Sequence, residues 1–138
     1  MISVDFSLRV IYADTDMMGR VYYGRFYEYF EAARSHMLRE MGLPYLEVER
    51  SGTFLPVLES HCEHKSSATF DDILIVRTII RKMPTARFRI DYKVFKEGKG
   101  EIIAEGHTVH AFVNRDGHPV RPPKIMLDVL KAHWDDDE

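Results

Sequence analysis

The spacing of apolar residues predicts one strand near the start of the chain, followed by one long helix. Residues 5–12 alternate between β-forming and other side chains with a period of two, which is typical of a strand. From about residue 22 to residue 41 the apolar residues recur at intervals of three and four, which indicates a helix. A stop signal, Gly42 followed by Pro44, ends this pattern.

Four more strands are predicted in the second half of the chain, at about 55–65, 73–83, 86–96 and 101–113. A short helical piece at 45–51 precedes them, and an amphipathic helix from Ile125 to His133 follows them. This order favours an α+β fold in which an antiparallel sheet of five strands curls around the long helix. The edges of such a sheet stay open, so we expect pairing with a second subunit.

The composition fits a single domain, residues 1–134, because no linker or repeat divides the chain. A chain of 138 residues can bury a sizeable core without disulfides or metals. Cys62 is the single cysteine, so an internal disulfide is impossible. We find no secretory signal and no apolar run of membrane-spanning length, and we therefore expect a cytoplasmic protein.

The formal net charge of −3 hides an uneven distribution of charge along the chain. Residues 135–138 are all acidic, and we interpret them as a solvated tail. Without this tail the chain is nearly neutral, which argues against nucleic-acid binding. Between residues 77 and 99, however, eight basic residues accompany two acidic ones. That stretch is either a solvated strand face that protects a sheet edge or a binding surface for a small polyanion.

The strongest candidate for chemistry is the loop before the long helix, residues 12–23. Asp14 and Asp16 lie there ahead of a helix start, where unpaired backbone N–H groups carry partial positive charge. Those groups can stabilise negative charge on a carbonyl oxygen, while a nearby carboxylate acts as nucleophile or as base for a water. A plainer interpretation also fits, in which the two aspartates only form a turn or cap the helix.

Several segments, this loop first among them, resemble a family signature that runs from about residue 5 to residue 125. In chain order they are Asp14-Thr-Asp16-x-x-Gly19-x-Val21-Tyr22, Phe30-Glu31-x-Ala33-Arg34, Phe54-Leu-Pro56-Val57-Leu-Glu59, Phe70-Asp71-Asp72-x-Leu74-x-Val76, Ala104-Glu105-Gly106-x-Thr108 and Gly117-x-Pro119-Val120-Arg121-x-Pro123. The pattern is similar to that of the 4-hydroxybenzoyl-CoA thioesterase and YbgC-like group of acyl-CoA thioesterases. The first segment is the most specific of them.

The resemblance implies a hotdog fold and the hydrolysis of an acyl-CoA thioester without a metal or redox cofactor. It implies that Asp16 is the catalytic carboxylate and that the backbone N–H of Tyr23 binds the oxyanion. By the same resemblance Asp14 holds the loop, and Gly19 permits a tight turn and close approach of a ligand. Tyr22 belongs to a group of aromatic residues that we interpret as core or dimer contacts, and within that group it is our candidate to line the acyl pocket. It further implies a homodimer, with dimers pairing into a tetramer and the active site between subunits.

Two residues depart from the YbgC-like pattern. Tyr23 stands where many members have His, and Arg25 stands where they have Asn. The first change removes any catalytic role of that His but leaves Asp16 and the backbone donor in place. We expect the second change to alter the pocket entrance or a subunit contact, and with it the acyl specificity.

The phosphates of CoA call for basic residues, and the stretch from 77 to 99 supplies them. Arg87 and Arg89 are our first candidates, because guanidinium groups match phosphate geometry, and Lys65 is the next. Arg87, Arg89, Asp91 and Lys93 alternate along a predicted strand and therefore share one face of it.

Other candidate residues carry weaker patterns. His61, Cys62 and His64 lack a further metal ligand at a suitable spacing, and we interpret them as structural or surface residues. His107 and His110 fall on opposite faces of a predicted strand. Cys62 has no activating neighbour in the sequence that would make it a nucleophile.

Glu28 and Glu31 on the long helix are the more serious rivals to Asp16, because some hotdog thioesterases take their carboxylate from the helix. For Glu31 the plainer interpretation is a surface ion pair with Arg34. Two other functions stay open. One is a non-catalytic acyl-CoA or acyl-carrier binding module, which does not need Asp16, and the other is a hotdog hydratase or dehydratase.

Overall fold

The computed structural model describes residues 1–136, and within them it contains five strands, three α-helices and one 3-10 turn. The strands are β1 Ile2–Arg9, β2 Val57–His64, β3 Ile73–Ile80, β4 Arg87–Lys96 and β5 Ile102–Ala111. The helices are α1 Arg25–Glu40, α2 Tyr45–Arg50 and α3 Lys124–Ala132, and the 3-10 turn is Tyr12–Asp14. None of the helices described is long and apolar enough to cross a membrane.

All five strands form one antiparallel sheet in the order β1-β3-β4-β5-β2. One of the rows of paired residues that cross the whole sheet consists of Phe6, Val76, Val94, Ala104 and His64. The predicted α+β hotdog fold, a five-stranded antiparallel sheet around a central helix, is confirmed. Strand β2, the second in the chain, lies at the far edge of the sheet and pairs with the last strand, β5.

The first strand and the central helix both differ from their predicted bounds. Strand β1 ends at Arg9 rather than residue 12, because the N–H of Val10 binds the carbonyl of Asp72 and the backbone then enters the 3-10 turn. Helix α1 begins at Arg25 rather than near residue 22, because the N–H of Tyr22 is held by the carbonyl of Asp14 at 2.8 Å. The helix ends at Glu40, where the sequence predicted a stop.

Helix α1 packs on the concave face of the sheet through the residues spaced at three and four. Phe30 is fully buried and its ring stacks on that of Tyr92 in β4, with 4.2 Å between ring centroids. Alternate residues of β4 from Phe88 to Val94 are buried on the same face. The helix lies closest to β1 and β3, so the side of the helix that faces β5 and β2 is less covered.

The acidic tail predicted at 135–138 lies partly outside the described residues, which end at residue 136. The backbone of Asp135 pairs with that of Met1: the N-terminal ammonium donates to the Asp135 carbonyl at 2.7 Å, and the Asp135 N–H donates to the Met1 carbonyl at 3.0 Å. The two ends of the domain therefore meet at the β1 edge of the sheet.

Replacing Gly106 by alanine should lower the free energy of unfolding by about 1–3 kcal/mol, the usual cost of overpacking. A Cβ at this position would stand 2.3 Å from the carbonyl oxygen of His61 on β2 and 2.9 Å from the Phe30 ring. Either the edge strand or the central helix must therefore shift. Urea unfolding of the variant and the wild type measures the loss, and a variant within 0.5 kcal/mol of wild type, roughly the scale of a neutral surface change, would show that the sheet yields freely here.

Candidate active site

The loop between β1 and α1 folds back on itself as a small hairpin over residues 14–22. The N–H of Tyr22 donates to the Asp14 carbonyl, and the N–H of Asp16 donates to the Arg20 carbonyl, both at 2.8 Å. Gly19 closes the turn: its N–H donates to the Asp16 carbonyl at 3.0 Å, and its φ of +79° favours glycine. This backbone ladder fixes the position of Asp16 at the turn.

The carboxylate of Asp16 is held by one oxygen only. Its Oδ1 accepts hydrogen bonds from the N–H of Met18 at 2.8 Å and from the N–H of Arg20 at 3.3 Å. Its Oδ2 has no hydrogen-bond partner among residues 1–136, and the side chain is exposed. The turn thus orients the carboxylate and leaves one oxygen available to a reacting group.

Asp14 connects the hairpin to the helix. The hydroxyl of Tyr29 donates to its Oδ2 at 2.8 Å, and the Nε of Arg25 lies 3.7 Å from its Oδ1. Burial, together with this hydrogen bond to a carboxylate, raises the pKa of Tyr29 well above its usual value of 10.0, so the phenol stays a donor. Asp14 therefore holds the loop on the helix, while Asp16 does not.

Arg25 strengthens the same junction. Its guanidinium donates to the carbonyl of Ala13 at 3.2 Å and to both carboxylate oxygens of Glu28 at 3.0 Å. The residue that departs from the YbgC-like pattern thus fixes the entry of the loop into α1. It also occupies the carboxylate of Glu28, one of the two helix rivals to Asp16.

The start of α1 presents free backbone donors. The N–H of Arg25 bonds to the Tyr22 carbonyl and that of Phe26 bonds to the Tyr23 carbonyl. Among the described residues, the N–H groups of Tyr23 and Gly24 have no hydrogen-bond acceptor. Unpaired N–H groups at the positive end of a helix attract an anionic oxygen.

Aromatic side chains surround this helix start. The rings of Tyr22 and Tyr23 lie 4.6 Å apart and are about half and two-thirds exposed, at 47% and 64%. His64, at the end of β2, adds its ring 6.3 Å from Tyr23 and 5.2 Å from Phe26. The position of His64 was not predictable from its neighbours in the chain, because this contact depends on the pairing of β2 at the far edge of the sheet.

Of the three residues assigned to CoA, the structure brings only Lys65 near the loop. Lys65 directly follows His64, and its Nζ lies 3.5 Å from Glu63 in an exposed ion pair. Arg89 and Arg87 pair with residues five and seven positions further along β5 than the partner of His64. At 3.3 Å per residue this separates them from His64 by about 17 and 23 Å.

Arg87 and Arg89 do share one face, as predicted, but it is the outer face of the sheet, away from α1. Arg89 bonds to Asp91 at 3.1 Å, and Arg87 lies 3.7 Å from Glu59. Both arginines are largely exposed and border a surface depression of about 650 Å³ that also contains Lys93. Within one chain, the outer-face arginines and Asp16 do not form a common site.

The other nucleophile and metal candidates are not assembled for chemistry. Burial raises the pKa of the Cys62 thiol to about 11, so the reactive thiolate is disfavoured. Glu31 is exposed and lies 3.7 Å from Arg34, whose side chain is only 19% exposed, so the expected pair is half buried rather than a surface pair. Among residues 1–136 no three His, Cys, Asp or Glu side chains converge as metal ligands.

A buried polar chain joins α1 to the sheet, and sequence reasoning missed it. The Nδ1 of His110 lies 3.1 Å from the Leu55 carbonyl, which can only accept, so Nδ1 carries the proton. The Nε2 of His110 therefore accepts from the hydroxyl of Thr108 at 2.8 Å. Thr108 in turn accepts from the hydroxyl of Tyr92 at 2.8 Å, and Tyr92 accepts from Arg34 at 3.5 Å. The hydrogen bonds of this polar chain therefore all run in one direction, and they require a neutral imidazole at His110.

Protonation of His110 should destabilise the fold as the pH falls. Burial lowers the pKa of His110 below the ordinary value of 6.5. Below pH 6.5, His110 is therefore protonated in the unfolded chain while it is still neutral in the folded chain, and this difference favours unfolding. The slope of this loss approaches about 1.4 kcal/mol per pH unit. Urea unfolding from pH 7.5 down to pH 5.5 measures it.

His110→Asn should flatten the pH dependence, whereas His133→Asn, at an exposed histidine directly after the last helix, should keep the wild-type slope. Equal slopes for wild type and His110→Asn would contradict the account of the polar chain.

Known proteins are similar to this chain in sequence and in fold. The model of the thioesterase-like superfamily matches residues 10–132. A putative esterase from Aquifex aeolicus is 34% identical over 123 residues, which is 89% of this chain and 94% of the relative.

Two solved structures share the fold and part of the sequence. A hypothetical protein from Thermus thermophilus superposes with a TM-score of 0.87 at 32% identity, over 96% of this chain and 98% of the other. A DHNA-CoA thioesterase from Staphylococcus aureus superposes with a TM-score of 0.87 at 29% identity, over 96% and 89% of the two chains.

Proposed function

We propose that this chain, which belongs to the thioesterase-like superfamily, hydrolyses the thioester bond of an acyl-CoA. The observation that carries the proposal is the hairpin, which holds Asp16 by one oxygen and leads directly into the unpaired N–H groups of the α1 start. A carboxylate and a free helix start are the two components that acyl transfer to water requires. The name of the Staphylococcus aureus relative supports a CoA thioester as substrate.

In this proposal the thioester carbonyl oxygen lies at the N–H of Tyr23, and Asp16 acts through Oδ2. As a base, Asp16 takes a proton from water while the water oxygen attacks the carbonyl carbon. The C–S bond then breaks, and the CoA sulfur leaves and is protonated. As a nucleophile, Asp16 forms an acyl anhydride as the C–S bond breaks, and water hydrolyses that anhydride. Both routes place negative charge on the carbonyl oxygen, where the free N–H of Tyr23 stabilises it.

Glycine and tyrosine at the hairpin complete the proposed site. Gly19 has open space where a Cβ would stand, which supports the approach of a ligand to the turn. Tyr22 exposes about half of its ring beside Tyr23 and is available to an acyl group. No metal or redox cofactor takes part in this reaction as we propose it, and we propose that it takes place in the cytoplasm.

We further propose that the enzyme is a homodimer, with dimers pairing into a tetramer, and that the active site lies between subunits. Strand β2 is the edge strand beside the helix start, and nearly all of its residues are exposed. A second chain at this edge would cover it. Lys65 then contacts CoA phosphates beside the loop, while Arg87 and Arg89 contact phosphates of a substrate that reaches across subunits.

The release of free thiol from a panel of acyl-CoAs tests the proposal. CoA thioesters of short, long and aromatic acyl groups are each incubated with the purified protein. At least one of these thioesters should be hydrolysed catalytically. Saturable binding without hydrolysis of any member would show instead that the protein is an acyl-CoA or acyl-carrier binding module. Addition of water to 2-enoyl thioesters without thiol release would show instead that the protein is a hydratase.

A further inference from the structure

A groove runs along α1 on the side where the sheet covers the helix least. Its outer part, of about 300 Å³, is lined by Tyr27, Glu28 and Ser60 among others, and its inner part, of about 340 Å³, ends against Phe88 and Ile90. Both parts share Glu31, Arg34 and Val57, so they adjoin, and together they are called the α1–β2 groove.

The α1–β2 groove begins next to the proposed carbonyl site. Tyr27 lines its outer part and lies in the first turn of α1, four residues after Tyr23. An acyl group whose carbonyl oxygen is held at the Tyr23 N–H can therefore extend along the helix toward the groove. The inner part offers apolar side chains, including Leu38 and Phe88, to cover a hydrocarbon.

The groove contains one charged group whose hydrogen-bonding capacity is largely unused. The side chain of Arg34 is four-fifths covered, yet its only hydrogen bond to residues 1–136 is the long one to Tyr92, at 3.5 Å. A guanidinium carries five N–H donors. The one carboxylate that forms an ion pair with it among residues 1–136, that of Glu31, lies 3.7 Å away and is 73% exposed, so it neutralises Arg34 poorly.

The polar chain of the sheet fixes the orientation of this arginine. Because His110 must accept at Nε2, the hydroxyls of Thr108 and Tyr92 both point toward it, and the oxygen of Tyr92 is left to accept from Arg34. His110 is 1% exposed and Thr108 is 3% exposed, so the chain is shielded from water. Arg34 lines both parts of the groove, so the donors that Tyr92 does not use are available there.

We propose that Arg34 is a specificity-determining residue that binds an oxygen acceptor, hydroxyl or carboxylate, on the far end of the acyl group. This inference rests on the proposed thioesterase function. Arg34 lies nine residues after Arg25, the first residue of α1, or about 14 Å along the helix axis, and helical side chains lean back toward the N-terminus. The acceptor therefore belongs on an acyl group of medium length, and a plain hydrocarbon leaves the arginine unpaired in the groove.

Three substrates on one ten-carbon scaffold test the proposal: decanoyl-CoA, 10-hydroxydecanoyl-CoA and the CoA thioester of decanedioic acid. For wild type, kcat/KM for at least one oxygen-bearing substrate should exceed that for decanoyl-CoA by about tenfold, the scale of one hydrogen bond to a charged group. Arg34→Met should abolish the preference, so that kcat/KM for the two oxygen-bearing substrates falls to the level of that for decanoyl-CoA. Comparison of the two oxygen-bearing substrates shows whether a hydroxyl or a carboxylate is bound.

A second pair of variants tests the polar chain and does not depend on the folding of Arg34→Met. Thr108→Val removes the hydroxyl at almost constant shape and should weaken the preference, whereas Thr108→Ser keeps the hydroxyl and should retain it. If Arg34→Met and Thr108→Val lower all three rates equally, Arg34 is only structural and the proposal is overturned. The same holds if wild type shows no preference.

Calorimetric binding of the three product acids separates this inference from the proposed function. If no thioester is hydrolysed, the enzyme proposal fails. Tighter binding of 10-hydroxydecanoate or decanedioate than of decanoate, lost in Arg34→Met, would still support the role of Arg34. Equal binding of all three acids to wild type would overturn that role whether or not hydrolysis occurs.

Discussion

Asp16→Asn should reduce kcat for acyl-CoA hydrolysis by a factor of about 10²–10⁴, the range that a general base or its equivalent contributes. Asparagine has the same shape, and its oxygen can still accept from the N–H groups of Met18 and Arg20 that hold the turn. It cannot take a proton from water or form an acyl anhydride. KM should change little, because the loop keeps its position. Thiol release at saturating substrate measures kcat.

Glu31→Gln is the matched control for Asp16→Asn. It makes the same carboxylate-to-amide change on the helix, at a side chain that is largely exposed, and turnover should stay within about threefold of wild type, a change below 1 kcal/mol. Wild-type turnover in Asp16→Asn together with a large loss in Glu31→Gln would move the catalytic carboxylate from the loop to the helix.

Phe30→Ala should lower the free energy of unfolding by about 3–5 kcal/mol, enough to unfold much of a marginal domain. The ring is fully buried, stacks on Tyr92 and fills the space above Gly106, so its removal leaves a cavity between α1 and the sheet. Urea unfolding monitored by circular dichroism measures the loss.

Tyr27→Ala, three residues earlier on the same helix, is the control for Phe30→Ala. Its ring is 37% exposed at the mouth of the groove, and the loss should be smaller, about 1 kcal/mol. Similar losses in the two variants would mean that the helix is held along its whole length rather than by the ring at its centre.

The elements were predictable because their patterns are local. Alternation in β4 and the spacing of apolar residues in α1 reflect which side chains face the core. Strand β4 lies where expected, and α1 differs mainly in that it begins three residues later than expected. The order of strands was not predictable in this way. Nothing local in β2 tells whether it pairs with its neighbour β3 or with the distant β5, and that choice depends on contacts between remote segments.

The same distinction explains what could be predicted of the candidate site. Asp16 and Tyr23 lie seven residues apart, so one loop and one helix start were enough to suggest them. The polar chain combines α1, β4 and β5, and its sequence trace is only a threonine and a histidine two residues apart in an apolar strand. For Arg87 and Arg89 the alternation gave the correct shared face, but their distance from the loop follows from strand register.

The most direct test of the account is to identify what remains bound after each protein is mixed with a turned-over acyl-CoA and passed through gel filtration. Mass spectrometry of the ligand should find the intact thioester on Asp16→Asn, whereas wild type should leave only free acid and CoA. That result would show a site that binds substrate and lacks only the reacting carboxylate. Free acid and CoA from Asp16→Asn at the wild-type rate would contradict the account.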